Sequence, residues 1–488
     1  MASPDLSLFR HRVRDFVTRP LVTCAAGASA VELAQRLSRE GVGSVVIVDP
    51  DGAPVGIVTD RDLRRKVVAE ARDPGAVDAA SIMSSPLVTI HSDAFAFEAV
   101  LEMTRRHIRH LVVVDDARPI GVVSSRDILV LSTTHPVTLA REIGRAVTLD
   151  ALAGLARRIT ELVRRLVDEG GTAYDIAQIV AELNDRLVLR VLGLALEALE
   201  AAGEVPPPVP WCWIALGSEA RREQTLRTDQ DNGLIYGDPP DDLAEPAARF
   251  YRLFAEQAIA GLVKVGFPAC PGGSMASNPR WCQPLAQWKG DFREWMTTAS
   301  PTNVLDASIY FDLRPLAGAT ELAASLTGLV RAEAPQRRRF LETIAQDVVS
   351  RPVPLTLLGH VRVPRHGTHP GAVDVKGAGT LQLVGAARLL ALQLGLGETN
   401  TIERFRAAAH AGALGGADVG EITDAFQHLM RLRLRHQLEQ IERGGAPDNL
   451  VSPDALSHAD ALLFRDALQT VRKVQASIRE RFATDFVR

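Results

Sequence analysis

Two hydrophobic patterns alternate along the chain, and each change between them marks a candidate boundary. The β-branched runs at residues 45–48 and 111–114 are typical of buried strands. Across residues 138–200 the apolar positions recur with the helical period, and the break at residues 170–172 predicts a helical hairpin. Helical periodicity returns from Glu321 to the end of the chain. The predicted fold class is therefore α/β plus all-α.

An internal repeat occupies the first quarter of the chain. The segment DFVTRPLVT at residues 15–23 recurs as SIMSSPLVT at residues 81–89, and residues 41–63 are matched by residues 107–128 with one deletion in a turn. Each copy is about sixty-five residues long and predicts a helix, two strands joined by a turn, and a second helix. Two such copies would pair around a pseudo-twofold axis.

Each copy carries the same short motif, GIVTDRD at residues 56–62 and GVVSSRD at residues 121–127. The repeat resembles a tandem pair of CBS domains, the Bateman module that binds adenine nucleotides in many regulatory proteins. The resemblance implies a regulatory adenine nucleotide, and a homodimer formed through the pair. It also implies that four side chains bind this nucleotide: Thr59, Asp62, Ser124 and Asp127. Alternatively, these side chains only cap helices, as Ser, Thr and Asp do in many proteins.

Four segments follow from these patterns. A proline-rich tract at residues 205–210 ends the helical hairpin, because proline lacks the backbone donor that a helix needs. The predicted domains are a CBS pair at residues 10–135 (copies at about 14–70 and 80–135), a helical connector at 138–204, an α/β domain at 205–318 and a helical domain at 319–488.

The third segment carries the candidate chemistry. An apolar run at residues 211–216 predicts a buried strand that ends at Gly217 and Ser218, and Asp229 and Asp231 precede another apolar run. If a strand holds both aspartates, their side chains share one face. Two carboxylates so close together repel each other unless a cation lies between them.

A third carboxylate comes from residues 306–312, whose alternating pattern predicts a strand with Asp306 and Asp312 on its polar face. Three carboxylates on adjacent strands could hold two Mg²⁺ ions over a nucleoside triphosphate. Glycine permits a close backbone approach, and the serine hydroxyl could contact a phosphate.

The stretch GSEARREQTLRTDQD at residues 217–231 resembles the motif of the DNA polymerase β nucleotidyltransferase superfamily, in the form found in PII-protein uridylyltransferases. FDLRPLAG at residues 311–318 resembles the third-carboxylate segment of that subgroup and favours Asp312 over Asp306. Residues 15–485 resemble bacterial CBS-domain signal-transduction proteins with a nucleotidyltransferase domain and a helical substrate-binding domain. The resemblance implies metal ligands Asp229, Asp231 and Asp312, and triphosphate contacts from Gly217, Ser218, Arg221 and Thr228.

Other interpretations stay open. Arg221 could pair with Glu223 instead, and Asp312 could form a surface ion pair with Arg314. The chain shows neither the HD-type hydrolase motif nor the ACT repeats of the PII enzymes, so their deuridylylation and glutamine sensing do not carry over. The implied activity is the Mg²⁺-dependent transfer of an NMP group to a hydroxyl acceptor, with a protein as one candidate acceptor. The alternative is a catalytically inactive nucleotide sensor.

One polar loop interrupts the helical C-terminal segment. It contains Arg362, Asp374 and Lys376, which could face the nucleotide or the acceptor, whereas His366 and His369 are interpreted as exposed loop residues, not as a metal pair.

Composition narrows the class of partner. The chain has 488 residues with 55 Lys and Arg against 59 Asp and Glu, a net charge of −4, so no basic excess favours nucleic acid. The four cysteines are widely spaced, and no apolar run is long enough to span a bilayer or to form a signal peptide. We therefore expect a cytoplasmic protein that binds nucleotides, without membrane or nucleic-acid partners.

Overall fold

The structure is a computed structural model, and it describes residues 8–9, 11–116, 118–128, 136–226, 229–298, 300–356, 358–364, 369–414 and 416–484. The chain divides into two compact units, Met1–Arg141 and Glu142–Arg488, and the boundary lies within the helix Pro136–Arg145 (α6). Each unit is described by itself.

The first unit consists of two copies of one small α/β motif. Its elements before α6 are β1 (Thr23–Ala25), α1 (Ala30–Glu40), β2 (Ser44–Val48), β3 (Pro54–Thr59), α2 (Asp60–Leu63), α3 (Ala79–Ile82), β4 (Thr89–His91), α4 (Ala96–Arg105), β5 (His110–Asp115), β6 (Arg118–Ser124) and α5 (Ser125–Ile128). Strands β1, β2 and β3 form one sheet, and β4, β5 and β6 form another.

The two sheets have the same topology, which confirms the predicted repeat. In each, the first strand pairs with the second in parallel, and the second pairs with the third in antiparallel fashion. The register is equivalent as well, because Ser44 pairs with Thr59 and His110 pairs with Ser124. Each copy also has its own hydrophobic core. The core is formed by β-branched residues of the strands and by one face of α1 in the first copy and of α4 in the second.

The second unit begins with a helical hairpin and continues into a mixed sheet and a set of helices. Its elements are α7 (Leu149–Asp168), α8 (Ala173–Ala201), β7 (Trp211–Leu216), α9 (Gly217–Ala220), β8 (Asn232–Tyr236), α10 (Asp241–Val265), β9 (Cys282–Pro284), α11 (Leu285–Thr297), α12 (Pro301–Tyr310), β10 (Leu313–Gly318), α13 (Thr320–Glu333), α14 (Arg338–Ser350), β11 (Val373–Asp374), α15 (Leu381–Leu394), α16 (Thr401–His410), α17 (Gly416–Glu442), β12 (Leu450–Val451) and α18 (His458–Phe482).

The hairpin of α7 and α8 agrees with the sequence prediction. Thr172 is the N-cap of α8, since its side chain accepts a hydrogen bond from the backbone N–H of Asp175. The four-stranded sheet has the order β10, β7, β8, β9, and β7 runs antiparallel to both of its neighbours. This arrangement places the carboxyl end of β7 next to the start of β8 and the start of β10.

Two strand predictions are wrong. Asp229 and Asp231 do not lie on a strand, because β8 begins at Asn232. Residues 306–310 belong to helix α12, and Asp312 precedes β10. Ser300 caps α12 and Pro301 occupies its first turn, which is a strong helix-starting combination that outweighs the local alternation.

The sheet and the C-terminal helices share one hydrophobic core. It includes Ile214 of β7, Trp288 of α11 and Phe311 before β10, together with Leu389 of α15 and Phe405 of α16. The helices that follow residue 319 therefore pack directly on the sheet, and polar side chains from both parts can meet at the end of β7.

Candidate functional site

The candidate site lies where β7 ends and Gly217 begins α9. The N–H of Leu216 donates to the carbonyl of Asp231 at 3.0 Å, and the N–H of Gly217 donates to the carbonyl of Asp312 at 3.0 Å. Gly217 has a φ of +54°, and a Cβ there would lie 3.1 Å from Oδ2 of Asp231. A side chain at this position would be strained and crowded, so glycine permits the close approach of the carboxylate.

Asp229 and Asp231 form a pair of carboxylates in the loop before β8. Asp229 is exposed and Asp231 is half-buried. Burial raises the pKa of Asp231 to about 6, and the nearby charge of Asp229 adds to this increase. Cys270, Lys376 and Arg221 act in the opposite direction. The pair therefore has an excess of negative charge that a proton or a cation would relieve.

Backbone and amide contacts fix the loop that carries this pair. The N–H of Gln230 donates to the carbonyl of Pro268 at 3.0 Å, and the side chain of Asn232 accepts from the N–H of Ala276 at 2.9 Å. Asn232 also donates to the side-chain oxygen of Gln230 at 3.2 Å. The side chain of Gln230 is buried, and Gln230 lies between Asp229 and Asp231 in the chain. The hydrogen bonds that hold Gln230 therefore also orient the two aspartates.

Asp312, the third predicted ligand, is fully buried among three arginines. Its carboxylate contacts Arg221 at 2.7 Å, Arg388 at 2.6 Å and Arg404 at 2.7 Å. Burial alone would raise the pKa of Asp312, but Arg388, Arg404 and Arg221 hold it well below its usual range. Within the described ranges, no group of three His, Cys, Asp or Glu side chains could hold a metal ion, so Asp312 does not join Asp229 and Asp231 in such a cluster.

The predicted surface pair between Asp312 and Arg314 does not form. Arg314 instead binds Asp185 of α8, with contacts of 2.8 and 2.9 Å. The alternative proposed for Arg221 is confirmed, because its Nε donates to Glu223 at 2.7 Å while Nη1 donates to Asp312. Ser218 is half-buried beside Gly217, and Thr228 lies outside the described residues.

Two basic side chains of the C-terminal helical part interact electrostatically with the carboxylate pair. Lys376 interacts with Asp229 and Asp231, and Arg433 of α17 interacts with Asp374 and, less strongly, with Asp229. Burial lowers the pKa of each basic side chain, while the carboxylates act in the opposite direction. Arg433 is oriented by Asn449, whose side-chain oxygen accepts from its Nε at 2.7 Å.

The sequence alone identified only part of this surrounding shell. It pointed to Lys376 through its polar loop, in which Arg362, Asp374 and His369 are exposed and His366 lies outside the described residues. It missed Arg388, Arg404 and Arg433. One signal was present for Arg388, which is the single charged residue in the apolar helix α15 and therefore needs a carboxylate partner when buried.

The predicted CBS residues form two equivalent capping boxes. Thr59 Oγ1 donates to Asp62 at 2.6 Å, and the N–H of Asp62 donates back to Thr59 at 3.3 Å. In the second copy, Ser124 Oγ donates to Asp127 at 2.5 Å, and the N–H of Asp127 donates back at 3.3 Å. All four side chains therefore take part in helix caps, and a nucleotide would have to share these groups with the caps.

His110 of the second copy lies next to residues of the first copy. It pairs in register with Ser124, while its ring lies near Gly43 and interacts with Asp127, Asp60 and Asp62. Burial lowers the pKa of His110, and Asp127 opposes this decrease. Lys66 contacts Asp62 at 3.0 Å.

Among the helices that the structure describes, none has the length and apolar composition needed to cross a membrane.

Family models match most of the chain. CBS domain models match residues 13–69 and 79–133, the model described as "Putative nucleotidyltransferase DUF294" matches residues 157–302, and the model described as "Putative nucleotidyltransferase substrate binding domain" matches residues 338–482. The match to the nucleotidyltransferase model begins inside α7 and includes α8. Part of the helical hairpin therefore lies within the region that this model matches.

The curated relatives match shorter stretches. Uncharacterized protein MK0525 of Methanopyrus kandleri is 39% identical over 131 residues, which are 27% of this chain and 67% of that protein. Inosine-5'-monophosphate dehydrogenase of Mycobacterium tuberculosis is 30% identical over 191 residues, 39% of this chain and 34% of the enzyme. Among solved structures, the CBS domain protein PAE2072 from Pyrobaculum aerophilum, complexed with AMP, is 32% identical, with a TM-score of 0.24 over 27% of this chain and 99% of that chain.

Proposed function

The chain belongs to the family that joins CBS domains to the nucleotidyltransferase domain DUF294 and its substrate-binding domain, and on this premise we propose that it transfers a nucleoside monophosphate from a triphosphate to a hydroxyl acceptor. The observation that carries the proposal is the position of Asp231 against Gly217, with Asp229 two residues away. This is a carboxylate pair beside a glycine-serine turn, which suits a nucleotide with its metal ion.

Asp229 and Asp231 would hold Mg²⁺. The residues fit such an ion, because burial and, to a smaller extent, the charge of Asp229 raise the pKa of Asp231 to about 6, and a hard cation prefers carboxylate oxygen. When bound, the ion would polarise the reacting phosphoryl group and stabilise the pyrophosphate leaving group. Asp229, being exposed, is accessible to a metal ion that arrives with its nucleotide.

Basic residues around the pair would bind the phosphates. Lys376 and Arg433 come from the part of the chain that the substrate-binding model matches, and both interact with Asp229. Their positive charge would balance a triphosphate that the two aspartates alone would repel. Gly217 and Ser218 would contribute backbone and hydroxyl contacts to the phosphates. Arg221 would hold the turn after α9 in place through its hydrogen bonds to Glu223 and Asp312.

The CBS pair would regulate this activity by binding an adenine nucleotide between its two capping boxes. Thr59, Asp62, Ser124 and Asp127 would contact the ribose and phosphates, as the motif resemblance implies. A protein hydroxyl is one candidate acceptor, a homodimer formed through the CBS pair is the proposed assembly, and the cytoplasm is the proposed location.

A transfer assay tests the proposal. The full chain would be incubated with labelled ATP, UTP, GTP or CTP in Mg²⁺, with cell extract as the source of acceptor. We expect label to be transferred from one nucleotide, and the double variant Asp229→Asn with Asp231→Asn to abolish the transfer. The exposed Asp347→Asn variant of α14 serves as the matched control and should retain full activity.

The second candidate function is a catalytically inactive nucleotide sensor. One observation favours it: Asp312 is engaged by three arginines and does not face the carboxylate pair as a third metal ligand. Absence of transfer with all four nucleotides, combined with binding of an adenine nucleotide to the CBS pair, would support this sensor and contradict the enzyme.

A further inference from the structure

We propose that Asp312 is a positioning residue and not a metal ligand: its carboxylate fixes α15 and α16 against the turn after α9, and so sets the shape of the nucleotide site, a role that rests on the proposed function. We call Asp312, Arg221, Arg388 and Arg404 the arginine hub. Its three arginines come from three different elements, namely the end of α9, α15 and α16.

Each oxygen of Asp312 contacts two guanidinium nitrogens of the arginine hub. Oδ1 contacts Arg388 Nε at 3.1 Å and Arg404 Nη1 at 2.7 Å. Oδ2 contacts Arg221 Nη1 at 2.7 Å and Arg388 Nη2 at 2.6 Å. Three of these contacts are hydrogen bonds and the fourth, from Arg404 Nη1, is an ion pair alone, so a metal ion could reach either oxygen only by displacing a guanidinium group.

The charge of the surroundings also disfavours a metal. Arg221, Arg388 and Arg404 are buried, and the carboxylates paired with them are Asp312 and Glu223. Three guanidinium groups against two carboxylates leave an excess of positive charge, to which a divalent cation would add in a region with little solvent. The same excess explains why Asp312 must stay ionised, because the arginines lose their main counter-ion without it.

A second set of contacts ties α16 to the same turn. The side chain of Asn400, the N-cap of α16, donates to the carbonyl of Arg221 at 3.0 Å. The N–H of Thr401 donates to Glu223 at 2.7 Å. The backbone of Asp312 meanwhile accepts from Gly217, so one residue anchors the glycine through its carbonyl and the C-terminal helices through its carboxylate.

The test compares Asp312→Asn with Asp229→Asn in the full chain, using Mn²⁺ alone as the metal probe. For Asp312→Asn we expect an unfolding temperature lower by several degrees, faster hydrogen exchange in residues 217–226, and a Mn²⁺ affinity within twofold of the parent protein. For Asp229→Asn we expect the reverse pattern: at least tenfold weaker Mn²⁺ binding, with no faster exchange. Asp306→Asn, which removes a carboxylate that contacts Arg280 at 2.7 Å, is the control and should leave the exchange of residues 217–226 and the Mn²⁺ affinity unchanged.

A loss of Mn²⁺ affinity in Asp312→Asn, without a change in unfolding temperature or exchange, would overturn the proposal. If this variant does not fold, Arg388→Gln and Arg404→Gln replace it. The arginine hub predicts faster exchange in residues 217–226 at constant Mn²⁺ affinity, whereas a metal-ligand role predicts tighter Mn²⁺ binding because an oxygen of Asp312 becomes available. If the parent protein neither binds Mn²⁺ nor transfers label, the proposed function fails, while unfolding and exchange still decide the role of Asp312.

Discussion

Arg314 of β10 binds both carboxylate oxygens of Asp185 in α8, with Nη2 2.8 Å from Oδ1 and Nη1 2.9 Å from Oδ2. The same guanidinium donates to the backbone carbonyls of Glu219 at 3.1 Å and Ala220 at 3.3 Å. One arginine thereby connects the helical hairpin, the sheet and α9. The turn after Gly217 is thus held by α8 on one side and by the arginine hub on the other.

Removing one member of this pair should destabilise the second unit strongly. Asp185→Asn leaves the guanidinium of Arg314 without its counter-ion in a mostly buried position, and such losses cost about 3–5 kcal/mol. Chemical denaturation of the full chain, followed by tryptophan fluorescence, would measure this effect. Arg249→Gln breaks the exposed pair with Glu204 and is the control, for which we expect no measurable change. Equal stability of Asp185→Asn and the parent protein would contradict the structural role of the pair.

The carboxyl group of Glu219 predicts a dependence of stability on pH. Burial raises the pKa of Glu219 to about 8, Asp185 and Asp231 add to the increase, and Arg314 opposes it. In the unfolded chain this group titrates near its ordinary value, so between about pH 4.5 and pH 8 the folded state binds more protons than the unfolded state. Its contribution to stability is therefore present at low pH and is lost as the pH rises towards 8.

We expect Glu219→Gln to remove this pH dependence, because an amide keeps the shape of the protonated carboxyl and does not ionise. The free energies of unfolding at pH 6 and pH 9 would be compared in the parent protein and the variant. The parent protein should lose more stability between these values than Glu219→Gln, by a few kcal/mol at most. Parallel pH profiles would show that Glu219 does not titrate in this range.

The sequence predicts the elements here better than the contacts between them. The repeat, the hairpin of α7 and α8 and the strand Trp211–Leu216 all follow from local periodicity and are present in the structure. The alternation of residues 306–312 predicts a strand, yet residues 306–310 are helical, because so short a pattern also fits a helix and the start signal of Ser300 and Pro301 decides between them. Local patterns identify an element by its length and its ends as much as by its period.

The arginine hub could not be predicted, for a different physical reason. Arg221 and Arg388 are separated by more than 160 positions in the chain, and their meeting at Asp312 depends on how α15 packs on the sheet. The motif resemblance singles out Asp312 among the carboxylates, but it implies a metal ion as the partner of Asp312. Only the tertiary arrangement shows that its neighbours are cations.

The two capping boxes allow a test of nucleotide binding that separates ligand contact from helix capping. Asp62→Ala and Asp127→Ala should each weaken binding of AMP or ATP in calorimetry, if the carboxylates contact the ribose. Asp78→Ala is the matched control, because Asp78 also caps a helix of the first unit, accepting from the N–H of Ser81 at 2.9 Å, but lies outside both motifs. We expect this control to bind nucleotide as the parent protein does. Heat unaffected by either motif variant would contradict the proposed sensor.

Lys376 and Arg433 provide the test of the phosphate site, because they place positive charge beside Asp229 without belonging to the nucleotidyltransferase motif. A hydrogen bond to a charged group is worth about 1.5–3 kcal/mol, so Lys376→Met should weaken triphosphate binding by about tenfold or more. Arg433→Gln should act in the same direction. Each variant should bind a nucleoside with nearly unchanged affinity, since a nucleoside carries no phosphate for these cations to contact.

Titration calorimetry with a triphosphate and its nucleoside, at two salt concentrations, would measure both effects. The loss should be smaller at high salt, because screening already weakens the attraction between the cations and the phosphates in the parent protein. Lys473→Met, which removes an exposed lysine paired with Glu421, is the control and should bind the triphosphate normally. Equal triphosphate affinity in Lys376→Met and Lys473→Met would mean that Lys376 serves only as the counter-ion of Asp229 and Asp231 and does not bind the phosphates.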